Sequence, residues 1–212
     1  EIIGQILENL QPDILALQEL PNIELAVVLG ERLKLLPIQV VKTHSGFTTL
    51  LVKKNWKEHL VKIYKTESMV GCSVKKTHEI WGFASLHLAP SKGNAKIRQQ
   101  QLKNIIALLN EKTDRILLAG DTNMRKAEST ILPELRLKDG FILSGAPQSE
   151  RWSWDGYTNP YHDSPFQFTS RFDRILVRGW NVDKFKLIGN QEIDKDCYIS
   201  DHFGISAQLT TV

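Results

Sequence analysis

Ile116-Leu117-Leu118-Ala119-Gly120-Asp121-Thr122-Asn123-Met124-Arg125 is an apolar run that ends abruptly in a carboxylate, an amide and a guanidinium. An apolar stretch of this length, interrupted by glycine, reads as a buried strand, and the polar residues that follow sit at the rim of a sheet. If the extended geometry continues, Asp121 and Asn123 point the same way and bring an acceptor and an amide to one spot. Gly-Asp-x-Asn is also good turn chemistry, because Asp and Asn cap their own backbone. Whether other strands end in the same manner decides between the two.

Several do. Glu1–Leu10 carries Ile2, Ile3, Ile6, Leu7 and Leu10 at helical spacing, and Gln11-Pro12-Asp13 stops it. Ile14–Leu17 then reads as a buried strand that delivers Gln18 and Glu19 to its end. Asn22 caps a helix bearing Ile23, Ala26, Val27, Leu29 and Leu33. Phe47–Val52 is β-rich and runs into Lys53-Lys54, and Trp56–Met69 holds further short strand material with Lys57, Lys62 and Lys65 on a solvated face. Ile80–Leu88 is a strand ending in Ser85-Leu86-His87, and Asn94–Lys112 a long amphipathic helix with Leu102, Ile105, Ile106 and Leu109 on one stripe.

Beyond the opening strand, Lys126–Ser149 offers a short helix and the turn signal Lys138-Asp139-Gly140. Arg151–Thr169 has the aromatic, Asn, Asp and Pro composition of an ordered surface loop, and Arg174–Val177 and Gly204–Leu209 complete the strands. Strands joined partly by hairpins and partly through helices predict a mixed α/β (α+β) sheet system with helices outside. Glu19, His87, Asp121 with Asn123, Asp173, and Asp201 with His202 all fall at strand ends, which furnishes one rim.

The chain of 212 residues is 42% hydrophobic and 24% charged, the balance of an ordinary globular domain, with no sign of a boundary between two domains. No apolar run reaches the length of a membrane span. The two cysteines, Cys72 and Cys197, lack neighbours at metal-ligand spacing, which argues against structural zinc and fits a reducing compartment. The net charge of +3 permits a polyanionic substrate without requiring one.

Glu19 with Asp201 and a nearby amide forms a hard-oxygen set suited to magnesium, which takes one or two carboxylates and keeps waters for a substrate phosphate. His202 can donate to a phosphoryl oxygen, with Asp173 fixing its tautomer. Asp121 is left to orient or deprotonate an attacking water, held by Asn123. Together they describe metal-assisted hydrolysis of a phosphodiester. Each residue has a plainer alternative: Glu19 as an exposed carboxylate, His87 as a satisfied strand-end histidine, Asp173 paired with Arg171 or Arg174, and Ser200-Asp201-His202 as a turn.

Leu17-Gln18-Glu19, Ser85-Leu86-His87, Gly120-Asp121-Thr122-Asn123, Arg171-Phe172-Asp173-Arg174-Ile175 and Ser200-Asp201-His202, in that order, resemble the motifs of the endonuclease/exonuclease/phosphatase superfamily. The resemblance implies a DNase I-like four-layered sandwich of two mixed β-sheets flanked by helices, in a single domain over residues 1–212. Met124-Arg125, Ser153-Trp154-Asp155 and Phe172 are similar to the subgroup that hydrolyses the bond between a tyrosine and a DNA 5′-phosphate in repair. Carried over on matching motifs, Glu19 and Asp201 would be the metal ligands and Asp121, Asn123, His202, Asp173 and His87 the catalytic group, with Mg2+ as cofactor and Mn2+ as a substitute. Arg125 would contact phosphate, while Trp154 and Phe172 would wall a displaced strand; Trp154 as a core tryptophan is the alternative.

The implied partner is DNA, a single-stranded 5′ end bearing a tyrosyl or peptide adduct, met by a monomer inside the cell, in nucleus or cytoplasm, without a membrane. Other phosphodiesterase substrates of the same fold (abasic-site DNA, RNA, a phospholipid head group) and a non-catalytic binding relative stand as alternatives. The superfamily's first strand carries a Thr-Trp-Asn-like motif, and no Trp-Asn pair precedes Glu19. The expectation is therefore an N-terminally incomplete domain that lacks this strand.

Overall fold

Apolar side chains along the strands leave in two directions, and each direction finds its own core. The computed structural model describes residues 2–43, 45–109, 113–161 and 167–212. The N-terminal part runs α1 (Ile2–Leu10), β1 (Ile14–Leu20), α2 (Ile23–Leu33), β2 (Leu35–Thr43) and β3 (Gly46–Lys53). Among the described residues β1, β3 and β2 form a three-stranded antiparallel sheet in that order. Asn22 caps α2 by accepting the Leu25 N–H at 3.0 Å, as its position predicted. Leu7 and Leu29 of the two helices pack on Leu15, Leu35 and Leu51 of the sheet.

A second run contributes β4 (Leu60–Thr66), β5 (Met69–Lys76), β6 (Glu79–His87), α3 (Ala95–Leu109), β7 (Arg115–Asp121), β8 (Lys138–Asp139) and the short α4 (Gly140–Leu143). The C-terminal part adds β9 (Trp154–Asp155), β10 (Thr169–Ser170), β11 (Asp173–Arg178), β12 (Trp180–Ile188) and β13 (Gly204–Thr211). The larger sheet has the order β4-β5-β6-β7-β11-β8. Among the described residues this is the mixed sheet: β6 and β7 run parallel, joined through α3, and its other pairs are antiparallel. The pairs β12-β13 and β9-β10 are antiparallel as well.

One face of the larger sheet presents Val70, Cys72, Phe83, Leu117 and Ile175 to Leu50 and Val52 of β3 and to Val182 and Phe185 of β12. The opposite face presents Leu86, Ile116, Leu118 and Leu176 to Leu102, Ile105, Ile106 and Leu109 of α3. This explains why Ile116–Leu118 is apolar at every position. A central strand covered on both sides has no solvated face. The layers are thus helix, sheet, sheet, helix, the sandwich that the motifs implied. The long helix was expected over Asn94–Lys112; it is described over Ala95–Leu109, and residues 110–112, Glu1 and part of the Arg151–Thr169 loop (162–166) lie outside the described residues.

Among the described residues, sequence patterning does not reveal three long strands, β2, β5 and β12, nor the two-residue β8, β9 and β10. β2 contains Pro37, which sits at a pairing irregularity between Pro37 and Gln39 on the sheet's edge, where a missing N–H is tolerated. In β12 the register slips between Val182 and Lys184, so the buried Val182 and Phe185 stand three apart and the period-two signal disappears. β5 is buried along most of its length, and a short apolar run interrupted by Gly71 carries no alternation to read.

Arg98 of α3 is fully buried, and its guanidinium meets Glu128 at 2.9 and 2.8 Å while donating to the carbonyls of Ala89 and Ser91 at 2.8 and 2.6 Å. Glu128 Oε1 also accepts the Arg125 N–H at 3.1 Å. Burial pushes the Glu128 carboxyl up, but the Arg98 guanidinium, the Arg125 N–H and the Arg125 charge together outweigh this and hold it below its usual range. That stabilisation is present above the unfolded carboxyl pKa and lost as pH falls through the lower folded value. Glu128→Gln strands the Arg98 charge in the interior and is expected to cost about 3–5 kcal/mol in chemical denaturation, with a weaker acid dependence than the parent; an unchanged denaturation midpoint would show that the pair carries no net stability.

Candidate active site

Three neighbouring strand ends create the site. β6 lies parallel to β7 with His87 opposite Asp121, and β11 lies antiparallel with Asp173 opposite Asp121. The pairing therefore sets His87, Asp121 and Asp173 in one row across the sheet, at the inter-strand spacing of about 4.8 Å. β1 of the other sheet brings Glu19 against this row: His87 Nε2 lies 3.5 Å from Glu19 Oε1 and 3.8 Å from Asp121 Oδ2. His202, just before β13, completes it with Nδ1 2.7 Å from Asp173 Oδ2.

The turn and strand-end readings of Gly120–Asn123 both hold, and their combination corrects the extended geometry expected. β7 stops at Asp121, and Asn123 turns into the left-handed region at φ 50°. Its N–H donates to Asp121 Oδ1 at 2.7 Å and its side-chain amide to Asp121 Oδ2 at 2.8 Å and to the Leu88 carbonyl at 3.2 Å. Both carboxylate oxygens are thereby held by one residue two positions on.

Asp173 does not pair with Arg171 or Arg174. The buried Asp139 takes both, at 2.9 and 2.8 Å from Arg171 and 2.9 Å from Arg174, although Lys138-Asp139-Gly140 reads as a turn in sequence. Asp173 is left to the imidazole. Burial disfavours charge on His202, but the Asp173 carboxylate, its hydrogen bond, and the charges of Asp121 and Asp201 raise it to about 10. Asp121 is raised as well: burial first, then the Asp173 charge, push it up to about 7, against the pull of His202 and the Asn123 N–H.

The loop around Ser153 was foreseen as ordered, but its anchor was not. Buried Ser153 accepts the Asp173 N–H on its hydroxyl at 3.0 Å and the Phe203 N–H on its carbonyl at 2.7 Å, so one residue ties β11 to the segment holding His202. Asn159 donates to the Ser200 carbonyl at 2.8 Å, the Ser200 hydroxyl accepts the His202 N–H at 3.2 Å, and the same hydroxyl meets Asp201 Oδ1 at 3.1 Å. Trp154 lies edge-on to His202 at 5.1 Å and stacks on Phe168 at 5.8 Å. Phe172 is only 5% exposed, so it does not form a surface wall; it lies beneath Trp154 and carries the Arg125 guanidinium on its ring at 4.8 Å. The exposed ring beside Trp154 is Phe168, which composition alone could not single out.

Among the described residues no three His, Cys, Asp or Glu form a ready-made metal cage. Glu19 reaches the row at His87, while Asp201, expected beside it as a second ligand, engages the Ser200 hydroxyl. The donor chemistry nevertheless suits a hard cation, since magnesium uses one or two carboxylates and completes its shell with water and substrate phosphate. Burial first, and then the neighbouring charges of Asp173 and Glu19, push Asp121 up to about 7, and a divalent charge beside these carboxylates would offset that push.

Residues 1–202 match the family model described as the Endonuclease/Exonuclease/phosphatase family. Tyrosyl-DNA phosphodiesterase 2 of Danio rerio is 30% identical over 135 residues, 59% of this chain and 37% of that protein. The 5'-tyrosyl-DNA phosphodiesterase of Caenorhabditis briggsae is 27% identical over 228 aligned positions, 99% of this chain and 63% of that protein. The chain thus spans less than two thirds of the length of these relatives. Among solved structures, D. rerio TDP2 complexed with single strand DNA product superposes with TM-score 0.81 at 24% identity, covering 99% of this chain and 90% of that one. A mannosyl-6-phosphatase of Bacteroides thetaiotaomicron gives TM-score 0.71 at 17% identity over 99% and 89%. At these identities the likeness to solved structures is one of fold.

The Asp173 charge, and then its hydrogen bond, hold His202 as a cation at neutral pH. Its contribution to stability is complete below the ordinary imidazole value of 6.5 and fades as pH rises toward about 10. Asp173→Asn is expected to lower the His202 titration midpoint, followed by ring-proton NMR, by more than Asp121→Asn does; equal midpoints in the two variants would remove Asp173 as the main cause.

Proposed function

Given that the chain belongs to the endonuclease/exonuclease/phosphatase family, we propose that it is a magnesium-dependent phosphodiesterase that hydrolyses 5′-tyrosyl-DNA or a related blocked 5′-phosphate. The observation that carries the reading is the strand-end row His87, Asp121 and Asp173, met by Glu19 from one side and His202 from the other. A binding surface alone gives no reason to gather three carboxylates and two imidazoles against their mutual repulsion.

In this proposal Glu19, with Asp201, would hold the cation, which would supply charge neutralisation for the substrate's phosphoryl oxygens. Asp121, fixed by both donors of Asn123, orients the attacking water and accepts its proton. His202 keeps Nδ1 on Asp173 and presents Nε2–H to the phosphoryl oxygen on which charge develops, as a donor already set in place. The buried His87 sets its Nε2 between the Glu19 and Asp121 carboxylates and helps to hold the two in place. Arg125 contacts a neighbouring DNA phosphate.

The tyrosyl-DNA part of the reading is supported by the names of the relatives and by the Trp154–Phe168 stack beside His202. Stacking of an unpaired base on an aromatic ring is worth about 1–3 kcal/mol, and two rings next to the hydrolytic row suit a single-stranded 5′ end. Such a substrate assigns a monomer to compartments that hold DNA. No described helix is long and apolar enough to cross a membrane.

With magnesium, the full chain is expected to cleave a 5′-tyrosyl oligonucleotide faster than abasic-site DNA, RNA or a phosphoinositide at equal enzyme concentration. Asp121→Asn is expected to lower kcat at least about 100-fold, the lower end of what a positioned base contributes. Parent-level turnover in that variant, or a preference for any of the other substrates, contradicts the assignment.

A further inference from the structure

We propose that Gln18 is a positioning residue whose carboxamide, lying between the two sheets, holds Glu19 where it faces His87 and Asp121. The proposal rests on the reading of Glu19 as the principal cation ligand. It starts from a backbone irregularity. The pairing of β1 with β3 slips between Leu17 and Leu20, and within that slip Glu19 sits at φ 55°, a left-handed conformation that is uncommon for any residue but glycine. Residues held in such conformations persist only where their surroundings over-determine them.

Two contacts do so. On one side the backbone of Gly46 approaches so closely that a Cβ there would lie 2.9 Å from both the Glu19 carbonyl carbon and the Leu20 oxygen. On the other side Gln18 reaches across the intersheet core. Its Nε2 donates to the hydroxyl of Ser85 at 2.8 Å, and that hydroxyl turns back to the Leu17 carbonyl at 3.4 Å. Ser85 is fully buried on β6, two residues before His87.

The same carboxamide rests on Gly120, the residue before Asp121. A Cβ on Gly120, which stands at φ 131°, would meet the Leu86 carbonyl oxygen at 2.4 Å and Gln18 Nε2 and Cδ at 2.7 and 3.0 Å, so the bare glycine admits both the neighbouring strand and the Gln18 side chain. Gln18 therefore touches the strands of His87 and of Asp121 directly behind both residues, and the next residue in its own chain is Glu19. Around it the intersheet contacts are apolar, with Ala16, Leu117 and Ala119 among them. A polar bridge through an apolar layer contributes registry between the sheets more than net stability.

The test is a magnesium titration of the full chain followed by thermal melting, in the parent, Gln18→Met, Ser85→Ala and the double variant, since a cation bound only by the native state raises its melting temperature. Gln18→Met keeps length and volume and loses the hydrogen bond. The magnesium concentration giving half the rise is expected to increase about tenfold or more in each single variant, as for other groups that orient a metal ligand. The double variant is expected to match the singles, because both remove one shared bond.

A purely structural role would lower the magnesium-free melting temperature and leave the magnesium midpoint at the parent value; that result overturns the proposal. Should Gln18→Met fail to melt cooperatively, Ser85→Ala, which leaves Gln18 in place, decides by the same criterion. A parent protein without any magnesium response overturns the hydrolase reading and this proposal with it, whereas a responsive parent with unshifted variants overturns this proposal alone.

Discussion

The register of β7 between β6 and β11 is the constraint on which the site depends. Because side chains alternate along a strand, a slip of one residue in either pairing would turn His87 or Asp173 to the opposite face and dissolve the row with Asp121. The cores enforce that register. Leu117 and Ile175 must meet the second sheet, while Leu118 and Leu176 must meet the α3 layer, so a slip would also exchange the two cores. Hydrophobic burial, the dominant favourable term in folding, thus fixes polar chemistry that contributes little to stability itself.

Charge partition does the rest. Three ionisable groups lie within a short stretch, Arg171, Asp173 and Arg174, with Asp139 more distant, and several pairings are possible on paper. Asp139 gathers both arginines from the neighbouring edge strand β8, with Arg174 also donating to the Ser129 hydroxyl at 2.9 Å and to the Met124 carbonyl at 3.3 Å. That arrangement withdraws two cations from the rim and frees Asp173 for His202. The outcome is an imidazole that stays charged at neutral pH beside a carboxyl, Asp121, whose proton is poorly released without further positive charge. A rim so arranged attracts a hard cation and a phosphate together.

The strand-end residues were legible because they interrupt apolar runs, a signal carried by a few adjacent positions. The convergence of Glu19, His87, Asp121, Asp173 and His202 follows from motif order and from the layers that the hydrophobic pattern implies. What local sequence could not carry lies in pairings at long range. Nothing near Lys138-Asp139-Gly140 announces a buried carboxylate whose partners stand more than thirty residues away. Ser153 reads as an ordinary loop serine until its two backbone donors are placed, and the loop composition does not tell buried Phe172 from exposed Phe168. Likewise the bulge in β12 and the proline in β2 erase the alternation by which strands are recognised.

The central claim is that these groups meet around one divalent cation at the C-terminal end of β7. Titration with paramagnetic Mn2+, followed by the histidine ring signals in NMR, tests it most directly, because His78 precedes β6 at the end opposite His87, roughly 30 Å away along an extended strand. The account predicts that the His87 and His202 signals broaden at the lowest Mn2+ concentrations while those of His59 and His78 remain sharp. Uniform broadening of all four, or loss of His78 before His202, would contradict it.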